Sequence, residues 1–256
     1  MPGLNNQMAI ISVEAVTKRF GHREAVSEAS FSLPTGAILG LVGSDGAGKT
    51  TLLRMIATML KPSTGKILVK GFNVASQKSK VKPLIGYMPQ HFGLYQDLTV
   101  AENLNFFMDI FGIFGQERKS RQARYLGFSN LLPFVDRPAQ DLSGGMKQKL
   151  GLACVLVHQP EVLILDEPTN GVDPVSRQEF WGILAAMRAE GMTILVSTAY
   201  LDEGEKCDRL LLMHKARILA EAAPRDLQSD FPSLEKAMMH RIRAADEALA
   251  DEHFNI

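Results

Sequence analysis

Two hydrophobic periods share this chain, and their alternation predicts an α/β protein. Ile10 to Val16 and Glu24 to Leu33 read as antiparallel strands, with Lys18-Arg19-Phe20-Gly21-His22-Arg23 as the turn between them. Leu39-Gly40-Leu41-Val42 is an apolar strand, and Leu52, Leu53, Ile56 and Met59 then fall on one side of a helix. Lys61-Pro62-Ser63-Thr64-Gly65 ends that helix, and Lys66 to Lys70 resumes a strand. Leu84 to Met88 is a further short strand, closed by Pro89-Gln90. From Thr99 the texture turns helical, since Thr99 and Glu102 have capping-box spacing. Leu104, Phe107, Phe111 and Phe114 follow at helical intervals and predict the core of a helical subdomain, with Arg118 to Arg124 as its solvated face. Val162 to Leu165 and Thr193 to Ser197 are continuous apolar runs, the pattern of parallel strands buried on both faces. Between them Asp173-Pro174 opens a helix that carries Phe180, Leu184 and Met187 inward and stops at Gly191. Arg209 to His214 and Arg217 to Glu221 form a late strand pair, and a charged helical tail starts at Ser233.

Composition narrows the classes. The chain has 256 residues, 46% hydrophobic and 22% charged, as a soluble globular protein has. Lys plus Arg and Asp plus Glu both number 28, so no net field draws in nucleic acid. Cys154 and Cys207 both lie in or beside apolar patterns and are expected as reduced, buried thiols, which fits the cytosol. Met1 to Ile10 has no basic segment followed by a long apolar run, so no signal peptide is expected. No apolar stretch approaches the ~20 residues of a membrane span, so any membrane link is expected to run through a partner.

The candidate chemistry centres on G-x-x-x-x-G-K-[ST], from Gly43 to Thr50, placed between an apolar strand and an amphipathic helix. Glycines let successive backbone N–H groups point into one concavity, and the helix starting near Lys49 adds its partly positive end. Lys49 has the reach for the β- and γ-phosphates of a nucleoside triphosphate, and the Thr50 hydroxyl suits Mg²⁺. Asp166 and Glu167 end a buried strand, the edge where α/β proteins bind ligands. There Asp166 would hold Mg²⁺ and Glu167 would polarise the attacking water. Gln90, just past another strand end, lies at the same edge. Ser143 caps a helix running through Leu150, Ala153 and Val157. Gly144 and Gly145 leave its first N–H groups bare, a second anion site by geometry. Phe20 offers a flat face for a purine ring.

Together these segments resemble the ATP-binding cassette, the nucleotide-binding subunit of ABC transporters, over Ile10 to Glu221. Walker A is matched by Gly43, Ser44, Asp45, Gly46, Ala47, Gly48, Lys49, Thr50 and Thr51, and Walker B with its catalytic glutamate by Val162 to Glu167. The glutamine loop is matched by Gln90, and the signature by Leu142, Ser143, Gly144, Gly145 and Met146. Gly171-Val172-Asp173 matches the D-loop, and Phe20 the aromatic that stacks on adenine. Met146, the string Thr169 to Pro174, and Tyr200-Leu201-Asp202-Glu203 resemble exporters of the ABC-2 type. Tyr87-Met88-Pro89-Gln90 and Lys147 to Cys154 resemble the first cassette of bacterial double-cassette multidrug exporters.

The resemblance implies a P-loop NTPase (RecA-like) core with an antiparallel β subdomain and an α-helical signature subdomain. It implies a cassette over 8–225, its helical part at about 99–157, and a helical tail over 226–256. It implies ATP and Mg²⁺ as ligands, with Thr50, Gln90 and Asp166 at the metal and Glu167 and Gln90 in catalysis. It further implies a second cassette, in a homodimer or heterodimer, whose signature completes each ATP site, and integral membrane permease subunits. The chain would then sit peripherally at the cytoplasmic face of the inner (plasma) membrane and be soluble when isolated.

Three positions depart from the family pattern. Ala199 stands where most members carry a histidine that hydrogen-bonds the γ-phosphate. Losing one such contact is expected to cost about 10²–10³ in turnover, by analogy with an oxyanion-hole donor. Asp45 replaces the commoner Asn, and Ala216 stands where a hairpin turn favours Gly, an expected source of local strain only. Two other classes remain open at this point: a soluble ABC protein acting as a scaffold or on ribosomes, and a nucleotide sensor without turnover.

Overall fold

Five parallel strands ending at one edge fix where the chemistry of this chain lies. The structure is a computed structural model that describes residues 9–254. The expectation about a leader in Met1 to Ile10 therefore falls almost wholly outside the described residues. In chain order the elements begin with β1 (Ala9–Phe20), β2 (Arg23–Pro34), β3 (Ile38–Gly43), α1 (Lys49–Ile56), β4 (Thr64–Val69) and β5 (Phe72–Asn73). Then come α2 (Lys78–Val81), β6 (Ile85–Met88), α3 (Val100–Ile110), α4 (Gly115–Phe128), α5 (Gly144–Leu156) and β7 (Val162–Asp166). The chain continues through α6 (Pro174–Ala189), β8 (Thr193–Thr198), α7 (Leu201–Gly204), β9 (Arg209–His214) and β10 (Arg217–Ala222), and ends in α8 (Pro224–Gln228) and α9 (Leu234–Phe254).

One sheet has the order β10-β9-β3-β8-β7-β6, parallel from β9 to β6, with β10 returning antiparallel at the edge. Its central strands are buried along their whole length, which is why they read as unbroken apolar runs. The pleat sends alternate residues to opposite faces, so each strand feeds two cores. Leu163, Leu165, Ile194 and Val196 pack with α3, α5 and α6, whereas Ile164, Leu195, Leu39 and Leu41 pack with α1 and the second sheet. That second sheet, β2-β1-β4-β5, is antiparallel.

Several local readings are corrected. The first hairpin turns at Gly21-His22 alone; Lys18, Arg19 and Phe20 belong to β1, where Phe20 pairs with Arg23 and Arg19 is 2.5 Å from Glu24. Helix α1 stops at Ile56, and Thr58 takes a left-handed φ of 64°, so Met59 turns outward and is 58% exposed. The capping box at Thr99 and Glu102 forms as expected, and Leu104 is buried. The helix ends at Ile110, however, and Gly112 and Gly115 adopt φ of 67° and 62°. Phe111, the C-cap whose N–H still bonds Phe107 O, is 47% exposed, and Phe114, beyond the helix, is 63% exposed. The phenylalanine stripe is core only as far as Phe107, which packs on Phe92 with ring centroids 5.4 Å apart.

The basic face of α4 is also less solvated than its composition predicts. Arg118 pairs with Asp109, and Arg121 binds Glu117 and the Val157 carbonyl, tying α4 to the end of α5. Ala216 and Lys215 both take left-handed φ, 70° and 42°. Their turn does more than store local strain: Ala216 N–H donates to Ala47 O at 3.1 Å, and Ser27 N–H donates to Ala216 O at 2.8 Å. The hairpin thus braces the loop around Ala47. The tail helix α9 reaches the same hairpin, because Asp246 lies 2.8 Å from His214 and 2.7 Å from Lys215. Both cysteines are free and buried, and burial pushes the Cys207 thiol up to about 12.

His158 supplies a pH prediction. Its Nε2 contacts Ile85 O at 3.1 Å, its ring stacks on Phe111 at 4.3 Å, and burial lowers its pKa below the usual 6.5. The unfolded chain then binds more protons below pH 6.5 than the folded one does. Stability is therefore expected to be full above that pH and to decline as pH falls toward the lowered native value. Denaturant titrations from pH 7 to 5 should show this slope, and H158Q should reduce it.

Candidate functional site

Glycine makes the loop after β3 possible. Gly43 has a φ of 155°, and a Cβ there would lie 2.1 Å from Met213 O; Gly48 has a φ of 106°, and its Cβ would lie 2.2 Å from Ala25 O. The backbone is pinched between β9 and β2 at these two points, and no side chain fits. Helix α1 starts immediately at Lys49, so its unpaired N–H groups face the loop. The Lys49 ammonium donates to Gly43 O at 2.7 Å and Ser44 O at 3.2 Å.

Thr50, one residue on, donates its hydroxyl to Asp166 Oδ1 at 2.9 Å. Asp166 is buried at the end of β7, where Ser197 Oγ donates to the same oxygen at 2.9 Å and Tyr87 OH approaches Oδ2 at 3.3 Å. Burial pushes the Tyr87 phenol up, which keeps it a donor. Glu167 takes a left-handed φ of 49°, a strained choice for a non-glycine residue. Its N–H holds that shape by donating to Ser197 Oγ at 3.0 Å and Ser197 O at 3.2 Å. The strain turns the carboxylate toward the loop: Oε1 lies 3.2 Å from Lys49 Nζ, and Oε2 accepts from Gln90 Nε2 at 3.2 Å and Asn170 Nδ2 at 3.3 Å.

Lys49, Thr50, Glu167, Gln90 and Asn170 line a cleft of about 580 Å³, inside the range of small-molecule sites, with Asp166 just behind Thr50. Asp45, Gly46, Ala47, Gly48 and Thr51 of the loop and Phe20, Arg23 and Ala25 of the first hairpin complete the lining. Phe20 is 51% exposed, with Lys18 Nζ 5.0 Å from its ring centroid. Backbone donors, a helix terminus and one ammonium suit a polyphosphate. The Thr50 hydroxyl and the Asp166 carboxylate are an all-oxygen pair, the donors a hard cation such as Mg²⁺ takes. Among the described residues no group of three His, Cys, Asp or Glu side chains converges to hold a metal unaided.

Other sequence candidates lie elsewhere. Leu142 to Met146, Asp173 and Ala199 do not line this cleft. Ser143 Oγ caps α5 by accepting from Met146 N–H at 3.3 Å, and Ser143 and Gly144 are exposed. Gly145 has a packing reason, since a Cβ would lie 2.4 Å from Ser176 Cβ on α6, whereas a Cβ at Gly144 would meet nothing within 4 Å. Asp173 caps α6 by accepting from Ser176 N–H at 2.9 Å, which holds its carboxyl below the usual range.

Sequence reasoning missed Asn170, Ser197, Tyr87 and Glu203. The β7–β8 register, which sets Asp166 opposite Ser197, would have found one of them. Glu203 is fully buried and binds Thr169 Oγ1 at 2.7 Å, Thr198 Oγ1 at 2.5 Å and Arg177 Nε at 3.0 Å, so it ties the segments after β7 and β8 to α6. S197A would remove one hydrogen bond from Asp166 Oδ1, leaving it the Thr50 hydroxyl, and one from the Glu167 N–H, leaving it the backbone carbonyl of residue 197, and urea denaturation should show a loss of about 1–3 kcal/mol.

Comparisons with known proteins agree with this geometry. The family described as ABC transporter matches residues 26–170. "Probable multidrug ABC transporter ATP-binding protein YbhF" of Escherichia coli (strain K12) is 49% identical over 221 residues, 86% of this chain but 38% of that protein. This chain thus spans well under half the length of that relative. "Nod factor export ATP-binding protein I" of Burkholderia orbicola (strain AU 1054) is 41% identical over 86% of this chain and 73% of its own. Among solved structures, cbiO1 from Clostridium perfringens, part of the ABC transporter complex cbiONQ, superposes with a TM-score of 0.81 at 29% identity, over 87% of this chain and 91% of that one. The matched segment carries the phosphate loop and both strand-end acids, and the chain belongs to the ABC transporter family as an ATP-binding cassette.

Proposed function

We propose that this chain is the ATP-binding subunit that powers an exporter, and that its cleft hydrolyses ATP slowly. The carrying observation is the convergence of Lys49, Thr50, Glu167 and Gln90 on one cleft, with Asp166 bonded to Thr50 behind it. ATP-binding cassettes are ATPases in general, and the relatives named for multidrug transport and Nod factor export point to efflux. Those names also weigh against a ribosomal, scaffolding or sensing role.

In this reading adenine stacks on Phe20 while the β- and γ-phosphates lie along Gly43 to Thr51 under Lys49. Thr50 and Asp166, with Gln90 nearby, would hold Mg²⁺, which supplies charge neutralisation at the phosphates when bound. Glu167 accepts a proton from the attacking water, and Gln90 fixes the carboxylate that does so.

The cleft is one half of a shared site. The exposed helix terminus at Ser143 and Gly144 does not line the cleft of its own chain, and Gly144 has no packing reason to lack a side chain. Both features fit a signature that closes on the ATP of a second cassette, with Leu142 to Met146 and Asp173 at the contact. ATP that bridges two cassettes favours the closed pair, and hydrolysis reverses the preference. Permease subunits would convert that cycle into transport. Among the described residues no helix is long and apolar enough to cross a membrane, which fits peripheral attachment to such subunits at the cytoplasmic face. The cassette would occupy 8–225, with its helical subdomain at about 99–157 and the tail at 226–256.

Slow turnover follows from Ala199, whose methyl group cannot hydrogen-bond a phosphate. The purified chain is expected to bind ATP and to release ADP slowly, with E167Q abolishing release and A199H raising it. Brisk ATPase activity unchanged by E167Q would overturn the reading.

A further inference from the structure

Asn170 lies in the string Thr169 to Pro174 but drew no role of its own from the sequence, yet it is the cleft residue whose side chain reaches Glu167 from the same turn. Its N–H donates to Glu167 O at 3.2 Å, and its carboxamide folds back three residues to Glu167 Oε2 at 3.3 Å. The turn beneath it is firm, because Thr169 is buried and bound to the fully buried Glu203. Gln90 reaches the same oxygen at 3.2 Å, but from the separate segment after β6.

The distribution of donors on Glu167 matters when ATP binds. Oε1 has the Lys49 ammonium at 3.2 Å, and Lys49 already serves Gly43 O and Ser44 O. An ammonium has three N–H donors. Engaging phosphate oxygens therefore draws Lys49 away from one of these partners, and the carboxylate is the partner that repels phosphate. Glu167 then faces the phosphates with its neutral amide donors alone. Two amides on Oε2 hold the carboxylate in place and leave Oε1 free for the attacking water.

We propose that Asn170 is a positioning residue for hydrolysis, its carboxamide holding Glu167 Oε2 so that Oε1 meets the water once Lys49 has turned to the phosphates. This rests on the ATPase reading above. Asn170 holds Oε2 without any movement of the Gln90 segment.

Single-turnover hydrolysis of ATP by the full chain, with ATP affinity measured beside it, tests the inference. N170A is expected to lower the rate constant about tenfold, the loss of one hydrogen bond to a charged group, with ATP affinity unchanged. N170D, which keeps the shape of the side chain but cannot donate to Oε2, is expected to lower the rate at least as much. A purely structural role would lower thermal stability in N170A and leave the isosteric N170D near the wild-type rate. N170A or N170D with the wild-type rate, while E167Q is inactive, overturns the inference and leaves the ATPase reading standing. A wild-type chain that forms no ADP overturns both.

Discussion

The contact between the Thr50 hydroxyl and the Asp166 carboxylate, 2.9 Å long, joins the two halves of the machinery. Thr50 belongs to the helix after β3, and Asp166 ends β7, two strands away across β8. Their meeting requires three parallel strands to end at one edge in a fixed register. Ser197, at the end of the intervening strand, supplies the bond that holds that register at the site, since its hydroxyl serves Asp166 and the Glu167 N–H together. A shift along β8 would break both bonds. The apolar runs of β3, β7 and β8 feed two cores and specify the register by burial on both faces. Packing and chemistry are therefore one constraint here, exerted on the same strands.

The strand-end geometry also explains why Glu167 accepts a strained backbone. Strand β7 ends at Asp166, and the left-handed φ of the next residue turns its carboxylate toward the phosphate loop. Such strain persists only where neighbours over-determine it. Ser197 does so through its hydroxyl and its carbonyl, and the turn to Asn170 does so from the other side. Beyond this cluster, the bracing spreads outward. The Ala216 turn holds Ala47 on the phosphate loop, and Asp246 on α9 holds the base of that turn. The tail, whose role the sequence does not disclose, is thus connected to the loop by two contacts in series.

Elements and phosphate chemistry were legible in the chain because both are written locally. Val162 to Glu167 shows its burial and its acids in six consecutive residues, and Gly43 to Thr51 is a continuous motif. What stayed hidden depends on partners distant in sequence or on where a helix stops. Phe111 and Phe114 keep the helical interval, yet α3 stops at Ile110 and Gly112 turns the chain with a left-handed φ, so both rings stay exposed. Met59 fails in the same way after Thr58. Ser197 carries no motif and Asn170 drew no role from its string, and their roles emerge only from a strand register and a turn. Ala216 reads as a poor turn residue until its bond to Ala47 is seen.

A shared site is the claim on which the functional account turns, and a structure of the E167Q chain with ATP and Mg²⁺ tests it most directly. Adenine is expected against Phe20, the phosphates along Gly43 to Thr51, and Ser143 of a second cassette closing on the γ-phosphate. ATP bound with its γ-phosphate facing solvent, or capped by Ser143 of the same chain, would contradict it.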